Sequence, residues 1–207
     1  MNFSIFIKGG IVMMPLSIMG VIALAIIIDK IFFLKKNCQL SAKILTNIEN
    51  PNIDFDKLLE DSKNLSMNNC YHNFFKILAN FQKYSVEYIE SMMVFEAKKF
   101  EKIFNKNLWI LETIITSAPL LGLLGTIFGM SSSFKIIGEN NLGNASGITA
   151  GVAESLIATA FGLIIALIAL FAFNYFSKIQ NQILDDMEIY GTKILETLKN
   201  SNENSKK

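Results

Sequence analysis

The sequence contains no arginine: all of its 19 basic side chains are lysines, and 18 acidic ones leave a net charge of +1. That balance lacks the basic field a nucleic-acid binder needs, so no nucleic-acid partner is expected. Charge is scarce altogether, 18% of 207 residues against about 25% in soluble domains. Only two cysteines are present, Cys38 and Cys70, and they lack the C-x-x-C spacing of a zinc site or a disulfide framework. Both read as small, partly buried thiols. His72 is the single histidine, with no nearby cysteine or second histidine to complete a metal site. No phosphate loop or Ser/His/Asp set is found either. The chain is therefore expected to be no enzyme, to hold no metal and to need no cofactor.

What is abundant is apolar sequence. Hydrophobic residues make up 51% of the chain, and the mean hydropathy is +0.38. A helix crosses the bilayer core with about 20 mostly apolar residues, and three segments qualify: Ile11 to Leu34, Leu108 to Phe134 and Ile148 to Phe176. Pro15 falls in the first turns of its helix, where a missing N–H costs little. Pro119 lies inside the second span and is expected to bend it. Ala23-Leu24-Ala25 mimics a signal-peptide cleavage site, but the apolar run continues to Leu34. An uncleaved anchor is expected.

Lysine placement orients the spans. Lys30, Lys35 and Lys36 follow the first, Lys98, Lys99, Lys102 and Lys106 precede the second, and Lys178 follows the third; Lys8 and Lys135 alone fall on the other side. The expected topology has the N-terminus outside and the C-terminus in the cytoplasm. It divides the chain into 1–36 (N-terminal segment and first span), 37–107 (cytoplasmic helical region), 108–137 (second span), 138–147 (periplasmic loop), 148–176 (third span) and 177–207 (cytoplasmic helix and tail). Trp109 is expected at the inner interface.

The polar parts also read as helical. Pro51 precedes a small helix around Asp54 to Ser62, and a second around Asn73 to Lys83 carries Phe74, Ile77, Leu78 and Phe81 on one face. From Val86 onward, Ile89, Met93, Phe100, Phe104 and Leu108 recur at helical spacing. No breaker interrupts them, so this helix is expected to run unbroken into the second span. Beyond the third span Ile179, Ile183, Met187, Tyr190, Ile194 and Leu198 form another stripe, a packing surface by its spacing. Ser201 to Lys207 is polar and expected to be disordered.

Two rows of small residues stand out inside the spans. The second carries Ala118, Gly122, Gly125, Gly129 and Ser133, and the third carries Gly147, Gly151, Ser155, Ala158, Gly162 and Ala166. Such rows let helices approach closely in lipid. Polar residues share these helices: Thr126, Thr159 and Glu154. A carboxyl in a membrane helix is costly and normally faces a bundle interior or a water path. Packing alone would account for the glycines, while the polar residues point to a narrow polar interior. Glu112 lies at the inner end of the second span, where water can solvate it.

The stretch Ala118-Pro119-Leu120-Leu121-Gly122-Leu123-Leu124-Gly125-Thr126-Ile127-Phe128-Gly129-Met130 resembles the second-helix signature of the ExbB/TolQ/MotA proton-channel family. The stretch from Gly147 to Leu163 is similar to the family's third-helix signature. Gly9 to Leu16 and the Asp29-Lys30 pair resemble the first helix of ExbB-like chains. The resemblance implies an all-α, three-span subunit with long cytoplasmic helical extensions, in a homopentameric ring around a dimer of an ExbD/TolR-like single-span partner. A TonB- or TolA-like protein would be driven by that complex. By position, Thr126 and Thr159 correspond to the pore-facing threonines and Glu154 to the third-helix carboxylate, while the essential protonatable Asp resides on the partner. Ala118, Gly122, Gly125, Gly129, Gly151, Ser155, Ala158 and Gly162 are then the packing face. Ile168 stands where relatives often have proline, which is expected to straighten the helix there. The opening resembles ExbB more than TolQ. The expected role is to use proton motive force to energise TonB-dependent outer-membrane transport from the bacterial inner membrane. A TolQ-like envelope-integrity subunit and a non-conducting membrane scaffold are the alternatives.

Overall fold

The computed structural model describes residues 11–38, 40–50, 53–67, 69–80, 84–139 and 145–204, leaving out the side chains of 79–80, 135–139, 145–148, 150, 154 and 201–204. Among the described residues seven α-helices follow in order: α1 Met13–Asn37, α2 Ala42–Glu49, α3 Phe55–Lys63, α4 Cys70–Lys76, α5 Val86–Asn105, α6 Leu108–Glu139 and α7 Ala145–Asn204. A short 3-10 turn, Ile77–Asn80, follows α4. No strand occurs among the described residues. Three helices, α1, α6 and α7, are long and apolar enough to cross a membrane. The all-α, three-span architecture with helical extensions is thus what the chain adopts.

The chain forms two compact units, one of Met1–Ile28 with Asn107–Tyr175 and one of Asp29–Lys106 with Phe176–Lys207. In the first, the buried positions are mostly small or of middle size. They include Leu16, Ala23 and Ile26 of α1, Leu111, Ile114 and Ala118 of α6, and Ala158, Ile165, Ala166 and Ala169 of α7. The bulky side chains point outward: Leu120, Leu123, Ile127, Phe128, Leu156, Leu163, Leu167 and Phe171 are all exposed. A water-soluble bundle sorts its residues the other way. In lipid no hydrophobic force drives helices together, so close contact of small residues holds them while large ones meet the acyl chains.

The second unit is packed as water demands, with aromatic and branched residues inside. Ile44, Ile48, Leu58, Tyr71, Phe74, Phe75, Leu78, Ile89, Met93, Phe100 and Phe104 are buried, as are Ile183, Met187, Ile194 and Leu198 of α7. Each short helix starts on a side-chain cap that satisfies an orphan N–H. Asp54 accepts from the Lys57 amide at 3.1 Å, Asn69 from Tyr71 at 2.9 Å and Ser85 from Tyr88 at 3.3 Å. Asn47 ties α2 to the start of α3, donating to the Asp54 carbonyl at 2.8 Å and accepting its amide at 3.1 Å. The tail of α7 packs on α4 and α5, so that a Cβ added at Gly191 would meet Phe74 Cζ at 3.4 Å and Met93 Sδ at 3.8 Å. Lys193 Nζ donates to the carbonyl of Glu49, the last residue of α2, at 2.9 Å.

Three expectations need correction. The helix expected to run unbroken into the second span ends at Asn105, and a new one starts at Leu108. Asn107 sits at φ 70°, a left-handed conformation that asparagine tolerates better than most residues. The carbonyls of the last α5 turn consequently lack intrahelical partners, and Lys30 supplies one. Its buried Nζ donates to the Phe104 carbonyl at 2.5 Å and lies 5.7 Å from the Phe33 ring centroid and 5.1 Å from that of Phe104. A lysine whose sequence position suggested a flank charge is therefore a helix cap. Second, the helix expected over Asn73 to Lys83 starts earlier, at Cys70, and tightens into the 3-10 turn after Lys76; Phe81 lies outside the described residues. Third, α7 continues as helix through Asn204, so the tail expected to be disordered from Ser201 is ordered that far.

Candidate functional site

The residues singled out in the second and third spans meet within the first unit, where α6 and α7 lie against each other. The closeness of the contact shows in what a Cβ would meet at each glycine. At Gly122 it would stand 2.9 Å from Thr159 Cα, at Gly125 2.9 Å from Ala158 Cβ, and at Gly129 2.5 Å from Ser155 Cβ. From the other side, a Cβ at Gly162 would stand 2.5 Å from the Ala118 carbonyl oxygen, and one at Gly151 2.3 Å from Ser133 Oγ. All eight small-face residues thus lie in one contact between two helices of the same chain. Val12 closes it from the N-terminal side, with Cβ 3.6 Å from the position of a Gly125 Cβ.

The hydroxyls in this contact share one chemical state. Thr159 Oγ1 donates across the helices to the Gly122 carbonyl at 2.8 Å. Thr126, 9% exposed, donates to the Leu123 carbonyl of its own helix at 2.6 Å. Ser133 donates to Gly129 at 3.0 Å and Ser155 to Val152 at 2.7 Å. A hydroxyl has one proton to give and two lone pairs to offer. In each of these bonds the proton goes to a backbone carbonyl, which leaves the lone pairs as acceptors. Glu154 belongs to α7, but its side chain lies outside the described residues. Glu112, at the start of α6, is exposed.

Sequence reasoning placed Thr126 and Thr159 on the small-residue helices but missed the bond from Thr159 to Gly122. The signal was the absent Cβ at Gly122, which leaves that carbonyl open to a neighbouring helix. Pro119 cannot donate to the Ile115 carbonyl, yet α6 runs through it without interruption. Ile168 likewise sits within unbroken α7. Among the described residues no group of three or more His, Cys, Asp or Glu side chains could hold a metal ion.

Three apolar helices, with small residues inside and bulky ones outside, define a multi-pass membrane protein. A sequence model of the MotA/TolQ/ExbB proton channel family matches residues 66–189, which take in α4, α5, α6 and most of α7. The chain belongs to that family. It is 33% identical over 184 residues to "Putative biopolymer transport protein ExbB-like 3" of Synechocystis sp., covering 83% of this chain and 82% of that one. Over 94 residues it is 39% identical to "Biopolymer transport protein ExbB" of Aquifex aeolicus, a stretch spanning 45% of this chain and 64% of that protein. It is also 36% identical over 87 residues to "Tol-Pal system protein TolQ" of Pseudomonas aeruginosa, covering 42% and 37% of the two chains. The family is one of channels rather than enzymes.

Proposed function

We propose that this chain is the ExbB-like, proton-conducting subunit of an inner-membrane motor that energises TonB-dependent transport. The observation that carries the reading is the state of Thr126 and Thr159. Their protons are committed to the Leu123 and Gly122 carbonyls, so their oxygens can only accept. Such oxygens suit a carboxyl that alternates between neutral and charged on a partner helix. The neutral acid donates its O–H to them and the carboxylate does not, so they favour the protonated state. This chain then supplies the wall, with Glu154 as its carboxylate, and an ExbD/TolR-like helix supplies the titrating Asp. A ring of five copies around that partner follows the family pattern, with the N-terminus periplasmic and the C-terminus cytoplasmic. Each proton crossing 100 mV releases about 2.3 kcal/mol, enough for a few to drive a mechanical step in a TonB-like protein.

The test is proton uptake into vesicles holding the chain and its partner. Thr159→Val removes the cross-helix bond together with the acceptor, whereas Thr159→Ser keeps both. Uptake is expected to fall in the Val variant and persist in the Ser variant, with both assembled to normal mass. Full uptake in Thr159→Val and Thr126→Val alike overturns the pore assignment and leaves a packing scaffold. The TolQ-like reading has its own support in the similarity to the Pseudomonas protein, and the identity of the co-purifying partner separates the two.

A further inference from the structure

Outside the α6–α7 contact, the second unit carries an open trough of about 370 Å³ between α5 and the tail of α7, with Phe74 of α4 beneath it. On one wall α5 presents Glu90, Met93, Val94, Ala97, Lys98 and Glu101. On the other α7 presents Leu184, Met187, Glu188, Gly191, Thr192 and Leu195. Counted from its first residue, each row runs i, i+3, i+4, i+7, i+8, i+11, which is one face of a helix over three turns. Two helices thus hold matching faces open along about 16 Å.

The trough has an apolar floor and an acidic rim. Phe74, Met93 and Met187 are buried at its base, while Val94 on its shoulder stays 51% exposed. Methionine is unbranched and polarizable, so a floor of this kind reshapes readily around an incoming side chain. Glu90, Glu101 and Glu188 stand exposed on the rim, and no ion pair among the described residues engages any of them. Lys98 opposes these three carboxylates with a single ammonium, so the lining carries a net charge of −2.

We propose that this trough receives an amphipathic helix of another polypeptide, about three turns long and rich in lysine or arginine. A helix is the element whose side-chain ridges fit between those of two helical walls. Its length follows from that of the rows. Its apolar residues, at i, i+3, i+4 and i+7, seat over Met93, Met187 and Val94. Its cations meet Glu90 and Glu101 at the two ends of the α5 row and Glu188 on the facing wall. An acidic helix of the same shape brings its carboxylates against three of like sign and is rejected. The chain's own lysine-rich stretch is partly committed, since Lys98 lies in the trough itself and Lys99 is held by Glu96 at 3.2 Å. The occupant is therefore assigned to a different protein rather than to a second copy.

The experiment uses the full chain in nanodiscs of zwitterionic lipid, with empty nanodiscs as the blank. The probes are two fluorescent synthetic helices of about fourteen residues. Both carry leucine along one face, and the remaining positions are lysine in one and glutamate in the other. Fluorescence anisotropy should show the lysine peptide binding and the glutamate peptide weaker by about tenfold or more. Replacing Glu90, Glu101 and Glu188 together by glutamine should weaken the lysine peptide about tenfold, the sum of three exposed ion pairs. Glu49→Gln, Asp56→Asn and Glu60→Gln together remove as much charge from exposed positions on α2 and α3, and should leave binding unchanged. Lys98→Gln should tighten it, and a photo-crosslinker on the leucine face should mark α5 and α7. No binding by the lysine peptide, equal binding of the two peptides, equal losses in the two triple variants, or crosslinks to other helices each overturns the proposal. So does a carbodiimide crosslink in native membranes joining a trough glutamate to a lysine of a second copy, because the trough is then a contact between copies. No proton-transport readout enters, so the outcome is separate from that of the channel reading.

Discussion

Replacing single glycines by alanine separates two opposing effects that the helix contact makes unusually easy to rank. In a helix interior the exchange gains about 1 kcal/mol, because glycine loses more backbone entropy. Forcing a methyl into a filled contact costs about 1–3 kcal/mol. At Gly162 the new Cβ meets backbone only, the Ala118 oxygen at 2.5 Å, the Ala118 carbonyl carbon at 3.3 Å and Gly122 Cα at 3.3 Å. None of these atoms can rotate away, so α6 and α7 must separate, and the Thr159–Gly122 bond, worth roughly 0.6 kcal/mol in membrane helices, is lost as well. Gly162→Ala should therefore destabilise by about 2 kcal/mol net, or some 4–8 °C in a chain of this size. At Gly151 the closest atom is Ser133 Oγ at 2.3 Å, and the next contacts lie at 3.6 Å. That hydroxyl can turn at the expense of its bond to the Gly129 carbonyl, about 1 kcal/mol, so Gly151→Ala should be nearly neutral. At Gly191, where every contact is 3.4 Å or longer, alanine should stabilise by up to about 1 kcal/mol. The assay is thermal unfolding of the purified chain in detergent, followed by circular dichroism and by the fraction surviving size exclusion. A Gly162→Ala chain melting at or above wild type, or below it by less than the Gly151→Ala chain, refutes the reasoning.

Three further outcomes are expected. Lys30→Met keeps the apolar stem but removes the charge-assisted bond to the Phe104 carbonyl, worth about 1.5–3 kcal/mol; relief of ammonium burial offsets part, so unfolding should show a loss of about 1–2 kcal/mol, and unchanged stability would remove Lys30 as a cap. Cys70→Ala takes away the donor that chiefly holds the Cys38 thiol down, leaving the Lys30 ammonium and the neighbouring Tyr71 as the ionisable groups facing it. The pH midpoint of Cys38 alkylation should move upward, and a midpoint that stays or falls contradicts Cys70 as the main cause of that lowering. In a chain with both native cysteines replaced by serine, Asn141→Cys should label in intact spheroplasts and Lys63→Cys only after permeabilisation, whereas the reverse pattern inverts the topology.

What was legible in the sequence follows from how far each signal reaches along the chain. Twenty-odd apolar residues declare a span without reference to anything else, and glycines at intervals of three and four mark one helix face by local arithmetic. The buried stripe of Ile89, Met93, Phe100 and Phe104 was equally local, and that is why it misled. Its spacing carries on to Leu108, so periodicity alone passes over the break at Lys106 and Asn107. The break depends on a left-handed asparagine and on a carbonyl satisfied by Lys30, 74 positions away.

The candidate site shows where the same limit affects chemistry. Sequence places Thr126 and Thr159 on the right helices, and a threonine in isolation is both donor and acceptor. Which of the two it remains depends on where its proton goes, and for Thr159 that is a carbonyl 37 residues back, exposed only because Gly122 has no side chain. The glycine row and the polar residues were thus not competing explanations of the same helices. Close approach is what brings the Gly122 carbonyl within reach of Thr159, and the bond formed there leaves an oxygen able only to accept. A leucine at Gly125 would place its Cβ 2.9 Å from Ala158 Cβ, with the rest of the side chain still to fit. It should therefore disturb the chain's own α6–α7 contact before any neighbour is involved, and with it the acceptor state of Thr159.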